Sequence, residues 1–241
     1  MDSGVGGLSV LKEVRRLLPG LDLIYYADSA YCPYGDRSAE YVTDRCRKIT
    51  GHFIGRGCVA VVVACNTATA AAIETLRREY DLPFVGMEPA VKPAALGTST
   101  GVIGVLATAG TLRGSKYLHT KGRFGDDVKI VEKVGQGFVE LVEGGELSGE
   151  HVETVVRESI QPLLDASADR IVLGCTHYPF LRPVMEKIAG GSVEIVDPAP
   201  AVALQLSRVL EDRGIGTSGT GTVTLESSGD DTVLKKIYSM I

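Results

Sequence analysis

Val61-Val62-Val63-Ala64-Cys65-Asn66-Thr67 and Ile171-Val172-Leu173-Gly174-Cys175-Thr176-His177 share one plan. Each is an apolar run, then one small residue, then cysteine, then polar residues that lead into a helical pattern. One copy lies in each half of the chain. A strand that is apolar throughout suits the middle of a parallel sheet, where helices cover both faces. Ligands of open α/β sheets collect beyond the carboxyl ends of the strands, which is where both cysteines fall. The repetition reads as a weak internal repeat. It predicts an α/β fold of two similar lobes with mainly parallel sheets flanked by helices and the active site between the lobes. Facing lobes would bring the two thiols to one substrate from opposite sides.

Outward from these segments, apolar runs alternate with helical patterns, the mark of parallel α/β architecture. Strands are expected at 21–27, 59–64, 83–87, 101–107, 128–133, 170–173, 193–196 and 222–226. Helices are expected at 39–56, with Ser38 as cap, and at 69–80, 111–120, 149–164, 181–188, 201–212 and 232–240. A Gly/Thr/Ser-rich stretch, 214–221, precedes the last strand. The pattern restarts after Pro89, and Asp197-Pro198 forms a new turn. Residues 1–90 with 197–241 are therefore expected to make one discontinuous lobe, and 91–196 the other.

The chain has 241 residues, 44% hydrophobic and 23% charged, enough apolar material for a sizeable core. Its net charge of −5 comes from interspersed acids and bases, with no basic stripe, so no nucleic-acid partner is expected. Five cysteines at irregular spacing argue against a disulfide framework and for a reducing compartment. Met1-Asp2-Ser3-Gly4 shows neither a basic nor an apolar leader region, and the apolar run 59–64 is far too short to span a bilayer. A soluble, cytoplasmic protein with no membrane partner is expected.

The paired cysteines suggest a chemistry. Inverting a carbon centre requires a proton to leave one face and another to arrive on the opposite face. Two groups on opposite faces, one base and one acid, accomplish this without movement. Thiol and thiolate can exchange those roles. Helix starts after Cys65 and Cys175 favour the thiolate, and their free N–H groups can hold a carboxylate. Asn66, Thr67 and Thr176 add polar contacts. His177 can assist proton transfer at Cys175. Asp2 is a candidate for the matching role at Cys65, or for binding a substrate ammonium. Cys32, Cys46 and Cys58 read as small buried hydrophobes. Cys65, Cys175 and His177 could make an open zinc site, and a zinc hydrolase is one rival, but no Cys-x-x-Cys pair accompanies them. Gly4-Val5-Gly6-Gly7 lacks the lysine of a phosphate loop. No lysine sits in a cradle fit for pyridoxal phosphate. The expectation is no cofactor and no metal.

Five segments carry a family likeness: Asp2-Ser3-Gly4-Val5-Gly6-Gly7-Leu8, Pro33-Tyr34-Gly35, Ala64-Cys65-Asn66-Thr67-Ala68, Gly174-Cys175-Thr176-His177-Tyr178-Pro179 and Val196-Asp197-Pro198. In this order they resemble the glutamate racemases of the aspartate/glutamate racemase superfamily, over essentially the whole chain. The resemblance implies cofactor-independent racemisation of L-glutamate to D-glutamate for peptidoglycan biosynthesis, and hence cell wall biogenesis and cell shape. It implies Cys65 and Cys175 as the acid/base pair, assisted by His177 and Asp2. It implies substrate contacts from Asp2, Ser3, Tyr34, Gly35, Asn66, Thr67, Thr176 and His177, with Asp28 and Glu143 in supporting positions. It also implies a homodimer. Family members carry a short apolar strand ahead of Asp-Ser-Gly, whereas only Met1 precedes Asp2 here, so a first sheet without that strand is expected, at a cost in stability or activity. The alternatives are a racemase of aspartate or another amino acid, and a non-catalytic protein that binds DNA gyrase.

Overall fold

The structure is a computed structural model that describes all 241 residues. In chain order the elements are α1 (Leu8–Leu17), β1 (Leu23–Ala27), α2 (Ala39–Gly55), β2 (Val61–Val63), α3 (Asn66–Glu79), β3 (Phe84–Gly86), α4 (Val91–Gly97), β4 (Val102–Ala107), α5 (Ala109–Leu112) and α6 (Ser115–Phe124). There follow β5 (Lys129–Val134), α7 (Phe138–Glu143), α8 (Glu150–Asp165), β6 (Arg170–Gly174), α9 (Arg182–Ala189), β7 (Glu194–Val196), α10 (Ala199–Asp212), β8 (Val223–Ser227) and α11 (Thr232–Tyr238). The architecture is α/β with parallel sheets flanked by helices. No helix is long and apolar enough to cross a membrane.

All eight expected strands are present, each within a few residues of its expected span. The helices α1, α4 and α7 were not expected, and each hides its signal. No side chain caps α1, which starts directly from Gly7 of the glycine-rich loop. Pro93 and Gly97 interrupt the pattern of α4. The six residues of α7 lie between Gly137 and Gly144. What holds α1 in place is burial: Leu8, Leu11 and Val14 are spaced to share one buried face.

The second sheet is continuous, with order β5-β4-β6-β7 and every pair parallel. Helices cover both faces of β4 and β6, so Ile103, Val105, Leu106, Ile171, Val172 and Leu173 are fully buried. Each such side chain contributes about 1.5–3 kcal/mol relative to exposure.

The first lobe has two separate parallel pairs, β1–β8 and β2–β3. Met1 and Asp2 form the link between them. The Asp2 N–H donates to Tyr26 O and Asp28 N–H donates to Asp2 O, at 3.1 and 3.0 Å. On the other side the Met1 amino group donates to Val62 O at 2.8 Å, and Ala64 N–H donates to Met1 O at 2.9 Å. Burial pushes the Met1 amino group down to about 6. Beside this link a largely apolar cavity of about 410 Å³ separates β1 from β2, with α1 and α10 forming one wall.

The chain returns to the first lobe after β7. Strand β8 pairs with β1, and Val202 and Leu206 of α10 pack with Val10 and Val14 of α1 and Val85 of β3. One apolar cluster crosses between the lobes, joining Leu8 and Leu11 to Leu106, Phe138, Val142 and Ile237. Both cysteine loops leave the carboxyl ends of their strands and face one cleft.

Candidate active site

Each cysteine stands just beyond a strand of its own lobe. Cys65 follows β2 and caps α3, its sulfur accepting the Ala68 N–H at 3.4 Å. Its thiol faces Ser3 Oγ at 3.9 Å. Burial raises this thiol well above its ordinary range, and the neighbouring Asp2 adds to the effect. The Ala68 N–H and Ser3 offset only part of it. At Cys65 burial thus outweighs the helix start that favours a thiolate in the sequence.

Cys175 follows β6 and enters a short 3-10 turn, Tyr178–Leu181, before α9, so no α-helix begins directly behind it. Its proton partner is a side chain instead. Cys175 Sγ lies 3.6 Å from His177 Nδ1, and His177 Nε2 lies 2.6 Å from Glu143 Oε1. Burial opposes the charge of this imidazole, but Cys175, Cys32 and Glu143 outweigh it and lift the ring well above its usual range. Glu143 is held below the usual carboxylate range: burial opposes the charge, and His177 together with the Val5 N–H overcomes it. The Val5 bond is 2.7 Å long.

The loop Asp2–Gly7 makes this approach possible. A Cβ on Gly4 would lie 1.8 Å from Glu143 Oε1, and one on Gly6 would lie 2.5 Å from His177 Nδ1. These glycines admit side chains of the opposite lobe, which is the role of a glycine-rich loop that lacks the lysine of a phosphate loop. Asp2 is buried behind the cysteines, accepting from Gly4 N–H and from Thr176 Oγ1, both at 3.1 Å. Burial raises its carboxyl, against the pull of His177 and these two donors.

Ser3, Tyr34, Gly35, Cys65, Asn66, Thr67, Cys175, Thr176 and His177 all line one cleft between the lobes. Asp2 stands one bond behind it, through Thr176. The buried Asn66 Oδ1 has no hydrogen-bond partner, and an unpaired buried acceptor is costly unless something donates to it. The cleft is narrow, with a cavity of about 20 Å³ between the two cysteines' loops.

Three contributors escaped the sequence reading. Cys32, read as a packing residue, contacts His177 and Glu143; Cys46 and Cys58 do pack with apolar neighbours. Sulfur, carboxylate and imidazole donor atoms of Cys32, Glu143 and His177 lie within 4.8 Å of one another, a set able to hold a soft divalent ion. Arg45 of α2 grips Asp28 through two bonds of 2.8 and 2.7 Å and lies over the Tyr31 ring. Asp28 in turn accepts from the Tyr34 hydroxyl, which fixes the Pro33-Tyr34-Gly35 loop. Nothing local in the sequence marks Arg45. Thr108, at the end of β4, bonds Thr67 Oγ1 at 2.9 Å and joins the lobes at the cleft. Its signal was available: Thr108 follows an apolar strand as the cysteines do.

Comparison with known proteins identifies the family and the fold. A sequence model of the Asp/Glu/Hydantoin racemase family matches residues 6–206. The chain is 47% identical to the glutamate racemase of Pseudomonas putida (strain KT2440), over 100% of this chain and 92% of that protein. Its fold is similar to a glutamate racemase isoform from Bacillus anthracis, with a TM-score of 0.85 at 31% identity, covering 99% and 91% of the two chains. It is also similar to the glutamate racemase of Francisella tularensis in complex with D-glutamate, with a TM-score of 0.84 at 26% identity, covering 100% and 90%.

Proposed function

Because the chain belongs to the Asp/Glu/Hydantoin racemase family, we propose that it interconverts L- and D-glutamate by moving the α-proton between Cys175 and Cys65. The observation that carries this reading is the cleft itself, which receives one buried cysteine from each lobe. Residues 1–90 with 197–241 supply one wall, and 91–196 supply the other.

In the L-to-D direction the Cys175 thiolate takes the α-proton, and its electron pair passes into the α-carbon and carboxylate. The Cys65 thiol then delivers its proton to the opposite face. Cys175 ends as thiol and Cys65 as thiolate, and proton exchange with His177 and solvent resets the pair. His177, anchored by Glu143, is placed to exchange a proton with Cys175. Burial, with a carboxylate nearby, keeps Cys65 as a thiol. Tyr34 and Gly35 on one side and Thr67 and Thr176 on the other offer N–H and hydroxyl groups to the substrate carboxylates. Asn66 Oδ1 accepts from the ammonium. Asp2 orients Thr176 and balances charge around the cleft.

D-glutamate made this way would enter peptidoglycan synthesis in the cytoplasm, with the enzyme acting as a homodimer. These assignments rest on family likeness and on the expectations above. The decisive experiment is optical. With no added cofactor, L-glutamate should lose its optical rotation in the presence of the protein, and L-aspartate should lose it far more slowly. Equal or faster loss with L-aspartate would sink the glutamate assignment.

A further inference from the structure

The cysteine that the racemisation scheme does not use lies against the histidine that it does. Cys32 Sγ, a Glu143 oxygen and a His177 ring nitrogen all lie within 4.8 Å of one another. They come from three separate segments: the loop before Pro33, the end of α7 and the turn after β6. The His177 side chain is 2% exposed and that of Glu143 is 23% exposed. Gly4 supplies the remaining wall, where a Cβ would fall 3.1 Å from the Cys32 sulfur.

We propose that Cys32, Glu143 and His177 form an inhibitory binding site for a soft divalent cation of the zinc type. The donor chemistry selects the ion. Thiolate and imidazole suit zinc, cobalt and cadmium, whereas magnesium and calcium take oxygen donors. Zinc bonds of about 2.0–2.3 Å place neighbouring ligands roughly 3.3–3.7 Å apart in a tetrahedron. The three donors need shifts of only about an ångström to reach that spacing. The Glu143–His177 contact must open from 2.6 Å, and the Val5 N–H bond to the same Glu143 oxygen must adjust with it.

Charge favours the exchange. Imidazolium, carboxylate and neutral thiol sum to zero. When the cation enters, the ring proton and the thiol proton leave to solvent. A divalent ion with one thiolate, one carboxylate and a neutral imidazole again sums to zero, so no net charge is added to a buried site. Three protein ligands leave the fourth position open to water. The ion would occupy Nε2 of His177 and leave Nδ1 facing Cys175. The ring could then no longer accept and return protons on that side, and the Cys175 half of the reaction would stop.

The inhibitory consequence rests on the proposed racemisation, whereas binding does not, so the two are measured separately. Binding is read with cobalt(II) added to the metal-free protein. A sulfur-to-cobalt charge-transfer band and tetrahedral visible bands should appear at one equivalent, be displaced by zinc, and be absent from Cys32→Ala. No band, or a band of equal strength in a folded Cys32→Ala, overturns the site. Inhibition is read as loss of rotation change with L-glutamate. Micromolar zinc should slow the parent at least tenfold, with recovery on adding a chelator, and Cys32→Ala should resist zinc at least tenfold better. Cobalt bands with undiminished racemisation would overturn the inhibitory role. If no racemisation is seen even without metal, the functional reading fails while the cobalt bands still decide the site.

Discussion

The two walls of the cleft place the same side chain in unlike settings. On the second-lobe wall, Cys175 stands at the end of a continuous four-stranded sheet and beside a histidine whose far nitrogen is fixed by Glu143. On the first-lobe wall, Cys65 caps a helix over a split sheet, and its neighbours are Ser3, Asp2 and a backbone N–H. One thiol has a partner that can take its proton, and the other is buried without one. Equal chemistry at the two faces of a substrate therefore does not require equal environments. The proposed two-thiol exchange requires only that one sulfur begins as base and the other as acid.

The largest expected effect tests that division. Cys65→Ser and Cys175→Ser should each lower racemisation by about 10²–10⁴-fold, the usual loss for a positioned acid or base. Racemisation rates alone cannot reveal the asymmetry. Enantiomers have equal free energies, so kcat/KM must be the same in both directions for any variant. Exchange of the α-hydrogen with deuterated solvent is free of that constraint. Cys65→Ser should exchange L-glutamate faster than D-glutamate, because Cys175 remains, and Cys175→Ser should show the opposite preference. Either folded variant racemising within a few-fold of the parent would mean that its cysteine only packs.

The second effect concerns the sheets. β1 and β2 each have one neighbour along most of their length and border the 410 Å³ cavity. β4 and β6 are paired on both sides and fully packed. Backbone amides with fewer packed neighbours open at lower free energy. Amides of β1 and β2 should exchange with deuterium at least tenfold faster than those of β4 and β6. Uniform protection across both lobes would show that Met1 and Asp2 are sufficient to tie the split sheet together.

A smaller effect isolates the histidine. The folded pKa of Glu143 is lowered, so its contribution to stability is present above the unfolded carboxylate value of about 4.3 and is lost as pH falls through the folded value. The folded pKa of His177 is raised, so its contribution is complete below the unfolded value of about 6.5 and is lost as pH rises through the folded value. Both therefore count fully only between those limits. Glu143→Gln should lower the melting midpoint by about 5 °C in that window, and by less on either side. A difference that does not change with pH would show that Glu143 serves packing and not charge.

Much of this was legible in the residues because parallel strands buried on both faces leave unbroken apolar runs. The cysteines stood out because each interrupts such a run at its carboxyl end. What stayed hidden depends on contacts distant in sequence. Cys32 looked like a packing thiol because His177 lies 145 positions away. Arg45 was not singled out because its partner Asp28 sits in another segment. α1 was obscured because its start has no capping side chain and its stability comes from tertiary burial. The helix start behind Cys65 was read correctly as local structure, but burial, which a single sequence does not report, reverses its effect on the thiol.

The smallest effect lies where the two walls touch. Gly35 belongs to the first lobe, and a Cβ there would sit 3.2 Å from Thr108 Cβ and 3.6 Å from its Cγ2, on the second. Thr108 also bonds Thr67, so it has little freedom to withdraw. Valine at position 35 would press the lobes apart at the mouth of the cleft and crowd the Tyr34–Gly35 amides offered to a carboxylate. Overpacking of this kind costs about 1–3 kcal/mol. The strain is relieved when the cleft opens, so substrate binding in the closed form should bear most of the cost. Gly35→Val should raise KM for both enantiomers by about five- to tenfold, with a smaller change in kcat. Removing the opposing side chain supplies the control. Adding Thr108→Ala to Gly35→Val should recover much of the KM, because two residues in contact are not additive. A double variant no better than Gly35→Val, with both folded, would place the fault in the loop's own conformation and remove the contact between the walls as its cause.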